Sequence, residues 1–144
     1  MSYRPATRSD ADMLAAWHAD PDVSRYWDDE TFTVEEIHDR LERQLVDPWI
    51  VEEDGVPVGY LQSWWEDDEP RRGGLDGFLV PAARGRGIMP AAARALAQRL
   101  LDEGWQYVTV DPYVGNESAI RAWGRAGFVE ISRDEKCVLM RFRG

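Results

Sequence analysis

Hydrophobic residues along the chain fall into short β-rich runs that alternate with stretches of helical spacing. The runs that predict strands are, in chain order, "SYRPA", "WIVEE", "VPVGYLQSWW", "GLDGFLV", "YVTVD", "FVEIS" and "CVLMRF". Asp54-Gly55 joins the second and third runs and predicts a tight hairpin turn, because this dipeptide tolerates a positive φ. The stretch "EDDEPRRG" that follows the hairpin is predicted as an acidic loop.

Five segments are predicted to be helical. Ser9 or Asp10 can cap a first helix, and "DPDVSRYW" predicts a brief second one. Thr33 and Glu36 form a capping box ahead of four apolar residues at helical spacing, which predicts a helix over about 34–45 that ends at Asp47 and Pro48. Two further helices are expected over about 88–102 and 117–126.

The order of these elements indicates the fold class. An antiparallel start followed by strands that alternate with helices predicts an α/β (α+β) protein, with a mixed sheet and helices on both faces. The length of 144 residues with 44% hydrophobic side chains fits a single domain, residues 1–144.

Several classes of protein are disfavoured by composition. No apolar run approaches the roughly 20 residues of a membrane span, and "MSYRPATRSD" lacks the apolar middle of a secretory signal. We therefore expect a cytoplasmic protein with no membrane partner. Cys137 is the only cysteine and the two histidines are far apart, so neither a disulfide nor a metal site is predicted.

Charge is divided unevenly between the two parts of the chain. Residues 1–76 carry 20 of the 27 acidic side chains and 7 of the 17 basic ones, whereas residues 77–144 carry 7 acidic and 10 basic side chains. The acidic part would repel nucleic acid and attract a cationic ligand, and the basic part suits an anion. Solubility alone would also account for any single acidic residue.

The stretch "ARGRGIMPAAARAL", residues 83–96, has the features of a phosphate-binding loop before a helix. The first turn of a helix leaves backbone N–H groups without partners, and Gly85 and Gly87 would let phosphate oxygens approach them. Arg84 and Arg86 add positive charge. The stretch contains no third glycine of a dinucleotide fingerprint and no G-K-[ST] of a P-loop. An ordinary loop before a core helix remains an alternative, and the two are compatible.

Three stretches in this order, "LDGFLV", "RGRGIM" and "NESAIRAWGRAGF", resemble the acetyl-CoA site of the GCN5-related N-acetyltransferases (GNAT). Arg84 and Gly87 match the pyrophosphate loop of that superfamily, and Met89 stands where glycine or alanine is usual. Asn116 begins the second signature, in which Trp123 replaces the usual tyrosine. The resemblance implies a largely antiparallel sheet that splays between its fourth and fifth strands.

The same resemblance implies where the co-substrate acetyl-CoA would bind. Pantetheine would pair with the backbone of Leu79 and Val80, and Asn116 and Trp123 would contact its arm. The pyrophosphate would lie on Arg84, Gly85, Arg86, Gly87, Ile88 and Met89. Asn116 is also explained as the N-cap of the following helix, and both roles can coexist.

A finer similarity, carried by "VSRYW", "GVPVGYLQSWW", "GLD" and "VDPYVGNESAIRAWGRAGF", is to the aminoglycoside 6'-N-acetyltransferases. It implies a polycationic sugar as the acceptor. The residues that match the aminoglycoside cleft of that family are Trp27, Trp64, Asp76, Asp111 and Asp134, with Trp65 and Glu66 as neighbours. Packing would equally explain the tryptophans, and a solvated loop would explain residues 66–69.

Asp76 is the candidate general base. It lies within an apolar strand on the same face as Phe78, where an unpaired carboxylate is costly, and an acceptor amine must lose a proton before it attacks a thioester. Asp111 would hold a substrate ammonium. Tyr113 or water would protonate the leaving thiolate, or the thiolate would leave unprotonated, because the indole of Trp123 cannot act as an acid.

Two other functions remain open. The acceptor could be a different amine, such as a hydroxylysine-type siderophore precursor or a protein N-terminus. The substitutions Met89 and Trp123 are also compatible with an acetyl-CoA-binding sensor that performs no catalysis. The sequence allows a monomer or a homodimer.

Overall fold

The computed structural model describes the backbone of residues 1–144 and the side chains of all residues except 67 and 68. One sheet contains seven strands in the order β1-β2-β3-β4-β5-β7-β6. The strands are β1 (Ser2–Pro5), β2 (Val46–Glu53), β3 (Val56–Asp68), β4 (Arg71–Leu79), β5 (Tyr107–Val110), β6 (Phe128–Arg133) and β7 (Val138–Phe142). All neighbouring strands are antiparallel except β4 and β5, which are parallel.

Five α-helices connect the strands: α1 (Ala11–His18), α2 (Pro21–Ser24), α3 (Val34–Leu41), α4 (Ile88–Asp102) and α5 (Glu117–Ala126). The predicted bounds of the last two are confirmed. The capping box of α3 is also confirmed, since the Thr33 hydroxyl accepts from the Glu36 N–H and the Glu36 carboxylate accepts from the Thr33 N–H, both at 3.1 Å. None of the described helices is both long and apolar enough to cross a membrane.

Two local predictions were wrong, and a third was correct only in part. Helix α3 ends at Leu41, and Asp47 and Pro48 belong to β2, where Pro48 lies just beyond the end of β1 and its missing N–H costs no ladder bond. The predicted acidic loop is mostly strand, because β3 continues to residue 68 and β4 begins at residue 71. Asp10, one of the two predicted caps, does occupy the N-cap position of α1, but its side chain makes no capping hydrogen bond there. Thr7 is the N-cap of the short 3₁₀ turn, Arg8–Asp10, that precedes α1.

Two hydrophobic layers cover the sheet, one on each face. In β2, Trp49 and Val51 belong to the layer beneath α4 and α5, whereas Ile50 between them belongs to the layer beneath α1 and α3. This alternation follows from the two-residue period of a strand. The predicted mixed sheet with helices on both faces is confirmed.

The sheet opens between β4 and β5. These strands pair only where residues 72–74 face residues 107–109, and among the described residues β4 has no partner on this side from Leu75 to Leu79. A wedge therefore separates the end of β4 from the residues that follow β5. The splay between the fourth and fifth strands is confirmed.

A buried carboxylate fixes the start of the chain against α1. Both oxygens of Asp10 accept from the Arg4 guanidinium at 2.9 Å, and Oδ2 also accepts from the Thr7 N–H at 2.8 Å. Asp10 is only 7% exposed, and its hydrogen bonds to Arg4 lower the pKa of its carboxyl. The ionised form is therefore the one that stabilises this corner.

We expect Asp10→Asn to lower the free energy of unfolding at pH 7 by about 2 kcal/mol, because an amide cannot accept at both oxygens. Urea denaturation measures this change. The exposed Asp12 provides the control, and Asp12→Asn should change stability by less than about 0.5 kcal/mol. Since the pKa of Asp10 is lowered by folding, the difference between wild type and Asp10→Asn should diminish as pH falls through that lowered pKa. Equal stability of the two variants would contradict the assignment.

Candidate active site

Two clefts open at the splay between β4 and β5 and meet there. The first, here called the acidic cleft, has a volume of about 380 Å³, and the second, here called the glycine-loop cleft, has a volume of about 370 Å³. The two clefts share five of their lining residues: Tyr26, Gly77, Asn116, Ala119 and Trp123. The clefts are therefore continuous through the wedge.

Unpaired backbone donors form the floor of the glycine-loop cleft. Gly87 is the N-cap of α4 with a left-handed φ of 76°, and Gly85 has a φ of 83°. The first hydrogen bond of the helix runs from the Ala91 N–H to the Gly87 carbonyl, and no N–H of residues 85–89 has an acceptor among the described residues. With the positive end of the helix dipole, these donors favour an anion.

The two loop arginines are already engaged by the protein. Arg84 donates to the carbonyls of Leu79 at 3.2 Å and Asp22 at 2.7 Å, and it lines the cleft. Arg86 instead forms an ion pair with Glu53 at 3.0 Å. The site thus offers a fixed positive charge from Arg84 together with the backbone donors.

The backbone N–H groups of Leu79 and Val80 point to opposite sides of β4. The Val80 N–H donates to the Val58 carbonyl at 2.9 Å and faces β3. Because strand residues alternate, Gly77 and Leu79 direct their N–H groups into the splay. A ligand chain could pair with these groups as an added strand.

The side chain of Met89 points into the core. It is 7% exposed, and its terminal methyl lies 3.2 Å from the position that a Cβ on Gly77 would take. The long side chain therefore leaves the loop backbone open. Ile88 is likewise buried and lines the glycine-loop cleft.

Asn116 caps α5 through its side-chain oxygen, which accepts from the Ala119 N–H at 3.2 Å. It also lines both clefts, so capping and ligand contact are compatible. Trp123 is buried, packs edge-to-face on Phe128 and forms part of both cleft walls. It supplies an apolar surface and no acidic proton at their junction.

The acidic cleft contains four carboxylates from three segments of the chain, those of Asp28, Glu30, Asp76 and Asp111. Trp27 lines the same cleft, while its ring packs edge-to-face on Phe78 at 5.7 Å. Arg40 and Lys136 add two cations to the lining. The acidic groups outnumber the basic ones, so the cleft favours cationic ligands.

Asp76 is the most desolvated of these acids. Burial raises the pKa of its carboxyl to about 6, and the nearby negative charge of Asp111 adds to this shift. Gln62 opposes the shift by donating to Oδ2 at 3.2 Å. A carboxyl with a pKa of about 6 is ionised at neutral pH and is basic enough to accept a proton.

Tyr113 connects two walls of the acidic cleft. Its hydroxyl donates to the carboxylate of Asp28, and this hydrogen bond raises the pKa of the phenol to about 12. Partial desolvation by the cleft walls also raises the pKa of Asp111. The proton of Tyr113 is thus directed at Asp28.

The thiol of Cys137 and the two imidazoles are poorly suited to covalent catalysis. Cys137 lines the acidic cleft, but burial raises the pKa of its thiol, so the thiolate is disfavoured. His18 is buried among aromatic rings, and burial lowers its pKa to about 4. His38 is hydrogen-bonded to Arg8 at 3.2 Å. Among the described residues, no cluster of three metal-ligating side chains was found.

Four predicted acceptor residues lie outside the acidic cleft. Trp64 and Glu66 line a separate groove of about 230 Å³ on the sheet face that carries Asp76. Trp65 is on the opposite face, where it packs on Trp105. Asp134 is exposed and caps the β6–β7 turn, accepting from the Cys137 N–H at 2.7 Å. Their geometry gives no support to substrate contact within this cleft.

Sequence reasoning missed Gln62, Asp28 and Arg40. Gln62 had a usable signal, since in "YLQSWW" it interrupts an apolar strand two residues from Tyr60, on the same face. Asp28 lies between α2 and α3, and Arg40 lies near the end of α3. The path of the chain brings both to the cleft, and the sequence contains no comparable pattern for either.

Comparisons with known proteins agree with this geometry. Residues 6–134 match the family model of the acetyltransferase (GNAT) domain. The aminoglycoside N(6')-acetyltransferases type 1 of Klebsiella pneumoniae and Serratia marcescens are each 29% identical over 147 residues, which cover 89% of this chain and 73% of theirs.

Solved structures share the fold. An aminoglycoside acetyltransferase solved with coenzyme A and kanamycin is 25% identical with a TM-score of 0.84, over 97% of this chain and 92% of that one. The spermidine N-acetyltransferase of Vibrio cholerae, solved with coenzyme A and spermine, is 13% identical with a TM-score of 0.81, over 97% and 92%. Since the family model covers most of its length, the chain belongs to the GNAT family of acetyltransferases, related to the aminoglycoside 6'-N-acetyltransferases.

Proposed function

We propose that this enzyme transfers the acetyl group of acetyl-CoA to a primary amine of a cationic aminoglycoside, the 6'-amino group. One observation carries the proposal: the glycine-loop cleft and the acidic cleft meet at Gly77, next to the desolvated carboxylate of Asp76. An anionic co-substrate and a cationic acceptor would approach this junction from opposite sides.

The glycine-loop cleft fits acetyl-CoA, which supplies the reactive thioester when bound. The free N–H groups of residues 85–89 and the guanidinium of Arg84 would hold its pyrophosphate. The N–H groups of Gly77 and Leu79 would pair with the pantetheine arm. The related aminoglycoside acetyltransferase was solved with coenzyme A, which supports this assignment.

The acidic cleft fits an acceptor with several ammonium groups. Carboxylates of Asp28, Glu30 and Asp111 would accept hydrogen bonds from ammonium and hydroxyl groups. The half-buried ring of Trp27 offers an apolar surface for a sugar face. The acid-rich composition of residues 1–76 supports the same class of acceptor.

Asp76 would act as the general base. An ammonium must lose a proton before its nitrogen lone pair can attack a carbonyl carbon, and Asp76 can take that proton directly or through water. Attack would be direct, because the thiol of Cys137 is held protonated and neither histidine lines the acidic cleft. Asp111 would fix the acceptor while the proton moves.

The departing thiolate has three routes to neutralisation. Tyr113 could protonate it only after releasing Asp28, and its raised pKa makes it a weaker acid than a free tyrosine. Water could supply the proton instead. The thiolate could also leave unprotonated, since a thiol pKa of about 8.5 makes it a tolerable leaving group.

Release of free thiol from acetyl-CoA tests the proposed acceptor class. Kanamycin-type aminoglycosides, hydroxamate-forming hydroxylysine precursors and peptides with free N-termini should be compared at equal concentration. We expect thiol release with the aminoglycosides at the highest kcat/KM. Preference for either of the other amines would replace the aminoglycoside, and acetyl-CoA binding without thiol release for any amine would indicate a sensor.

Gly87→Ala tests the phosphate-binding loop. An added Cβ would strain a left-handed backbone and project from the loop that faces the cleft, so we expect the Kd for coenzyme A to rise about tenfold. Isothermal titration calorimetry measures this Kd. Gly104 also has a left-handed φ and open space around it but lies at the far end of α4, so Gly104→Ala should leave the Kd unchanged. Equal effects would contradict the assignment.

Asp76→Asn tests the general base. We expect kcat to fall by about 100-fold or more, the usual contribution of a positioned base, while the Kd for coenzyme A stays within twofold. Steady-state thiol release and calorimetry give the two quantities. Asp111→Asn serves as the comparison and should mainly raise KM for the acceptor. Unchanged kcat in Asp76→Asn would remove Asp76 from the chemistry.

The pH dependence of kcat/KM should report the ionisation of Asp76. Because its pKa is raised to about 6, activity should decline as pH falls through about 6, well above the range of an ordinary aspartate. Removing the negative charge of Asp111 should move this limb to lower pH, because the like charge raises the pKa of Asp76. A limb near pH 4 in the wild type would be inconsistent with the proposed base.

A further inference from the structure

We infer that Gln62 is a positioning residue for the acetyl transfer, whose amide orients the carboxylate of Asp76 and connects it to the guanidinium of Arg43. This inference rests on the proposed role of Asp76 as the base. It assigns a function to a buried polar side chain that the reaction described above leaves unused.

The contacts of Gln62 form a continuous chain. Gln62 and Asp76 are direct partners in the β3–β4 register, and the amide nitrogen of Gln62 donates to Oδ2 of Asp76 at 3.2 Å. Its amide oxygen accepts from the Tyr60 hydroxyl at 2.8 Å and from Nη2 of Arg43 at 3.2 Å. Arg43, just beyond α3, is held by its Nε, which donates to the Arg40 carbonyl at 3.2 Å.

The chemistry of these partners fixes the orientation of the amide. A guanidinium can only donate, so the oxygen of Gln62 must face Arg43. The nitrogen must then face Asp76, whose ionised carboxylate can only accept. The amide therefore distinguishes its two sides, and the contact with Asp76 is strongest when that carboxylate is ionised.

Gln62 is 6% exposed, so its polar atoms are costly unless paired. Two donors on the amide oxygen, one of them cationic, polarise the amide and strengthen the donation from its nitrogen. Through this polarised amide, the positive charge of Arg43 helps to stabilise the ionised carboxylate of Asp76, although Arg43 does not contact that carboxylate directly.

The consequence for Asp76 is a fixed carboxylate with one engaged oxygen. Oδ2 accepts from Gln62, and Oδ1 has no hydrogen-bond partner among the described residues. Oδ1 is thus the oxygen that would take the proton of the acceptor. A carboxylate free to rotate would present neither oxygen consistently.

The side chains that shift the pKa of Asp76 come from four parts of the fold. Burial raises the pKa of Asp76 most, and the carboxylates of Asp111 after β5 and Asp28 after α2 raise it further. Arg43 after α3 and Gln62 on β3 lower it. Without the amide of Gln62, one of the two effects that lower the pKa of Asp76 is lost, while burial and the two acids still raise it. The pKa of Asp76 should therefore rise.

The experiment compares the acid limb of kcat/KM in wild type, Gln62→Met and Ser63→Ala. Gln62→Met keeps the side-chain length and removes the amide, and we expect the limb to move upward by about 0.5 to 1 pH unit. Ser63 is the matched control, because it is also buried on β3 but accepts from Nε1 of Trp49 at 3.2 Å on the opposite face. Ser63→Ala should leave the limb in place.

A second variant, Arg43→Met, tests the same inference in case Gln62→Met does not fold. Arg43 is only half-buried, and Arg43→Met leaves Gln62 intact while removing the cation that polarises it. We expect an upward shift of the limb that is smaller than in Gln62→Met. Arg43→Lys, which keeps the charge, should restore at least part of the wild-type position.

Titration of the Asp76 carboxyl by carbon NMR in the free enzyme gives a readout that needs no acceptor. Asp76→Asn assigns the resonance. An upward shift of its midpoint in Gln62→Met and Arg43→Met supports the inference, even if the acceptor proves not to be an aminoglycoside. An unshifted midpoint with reduced kcat would mean that Gln62 is merely structural, and the inference would be overturned.

The results that would reject Asp76 as the base differ from those that would reject the role of Gln62. If Asp76→Asn retains full turnover, the assignment of the base is wrong whatever Gln62 does to the titration. If Asp76→Asn loses turnover and the midpoint is the same in every Gln62 and Arg43 variant, the base stands and the positioning role falls.

Discussion

The short pairing of β4 with β5 is the constraint on which the site depends. The two strands pair only over residues 72–74, and at Gly74 a Cβ would collide with the carbonyl of Thr109 on β5. At the neighbouring Gly73 a Cβ would collide with the backbone of Trp64 on β3. Such close approach is available only to glycine. Beyond Gly74 the strands separate, and the second half of β4 loses its neighbour.

The splay explains why an acid can be buried in an apolar strand. A carboxylate inside a fully paired sheet face would lie under a helix layer, whereas Asp76 faces the wedge and the acidic cleft. Its surroundings exclude enough water to raise the pKa of its carboxyl to about 6, yet they remain open to a ligand. The geometry of the sheet thus sets the strength of the proposed base, with Gln62 as the balancing donor.

The division of charge along the sequence becomes a division in space. The glycine loop before α4 presents backbone donors and Arg84 on one side of the wedge, and the acids of the segment after α2 contribute to the other. Helix dipole and carboxylates therefore create opposite potentials at two ends of one continuous cleft. An anion and a cation are drawn to the same junction without competing for the same groups.

Sequence patterns predicted the elements well where the signal was local. The helix that begins at Ile88 and the capping box of Thr33 depend on residues a few positions apart, and both were confirmed. The end of α3 was mispredicted because Leu45, with a left-handed φ of 64°, continues an apolar spacing that the pairing of Val46 with Trp64 overrides. Site residues followed the same rule, since Asp76 was identifiable from its strand and Arg40 was not.

The wall formed by Asp28 illustrates what only the folded chain reveals. Asp28 and Asp29 both adopt left-handed backbone conformations, with φ of 54° and 55°, which are uncommon for residues other than glycine. Such conformations persist where surrounding contacts fix them, and Tyr113 supplies one from the far side of the cleft through its hydrogen bond to Asp28. The hydroxyl of Tyr113 therefore connects this segment to the opposite wall of the acidic cleft, while the Asp29 N–H donates to the Ser24 carbonyl at 2.8 Å. Using that proton to neutralise a leaving thiolate would break the hydrogen bond to Asp28, so acid catalysis by Tyr113 would cost the cleft a contact between its two walls.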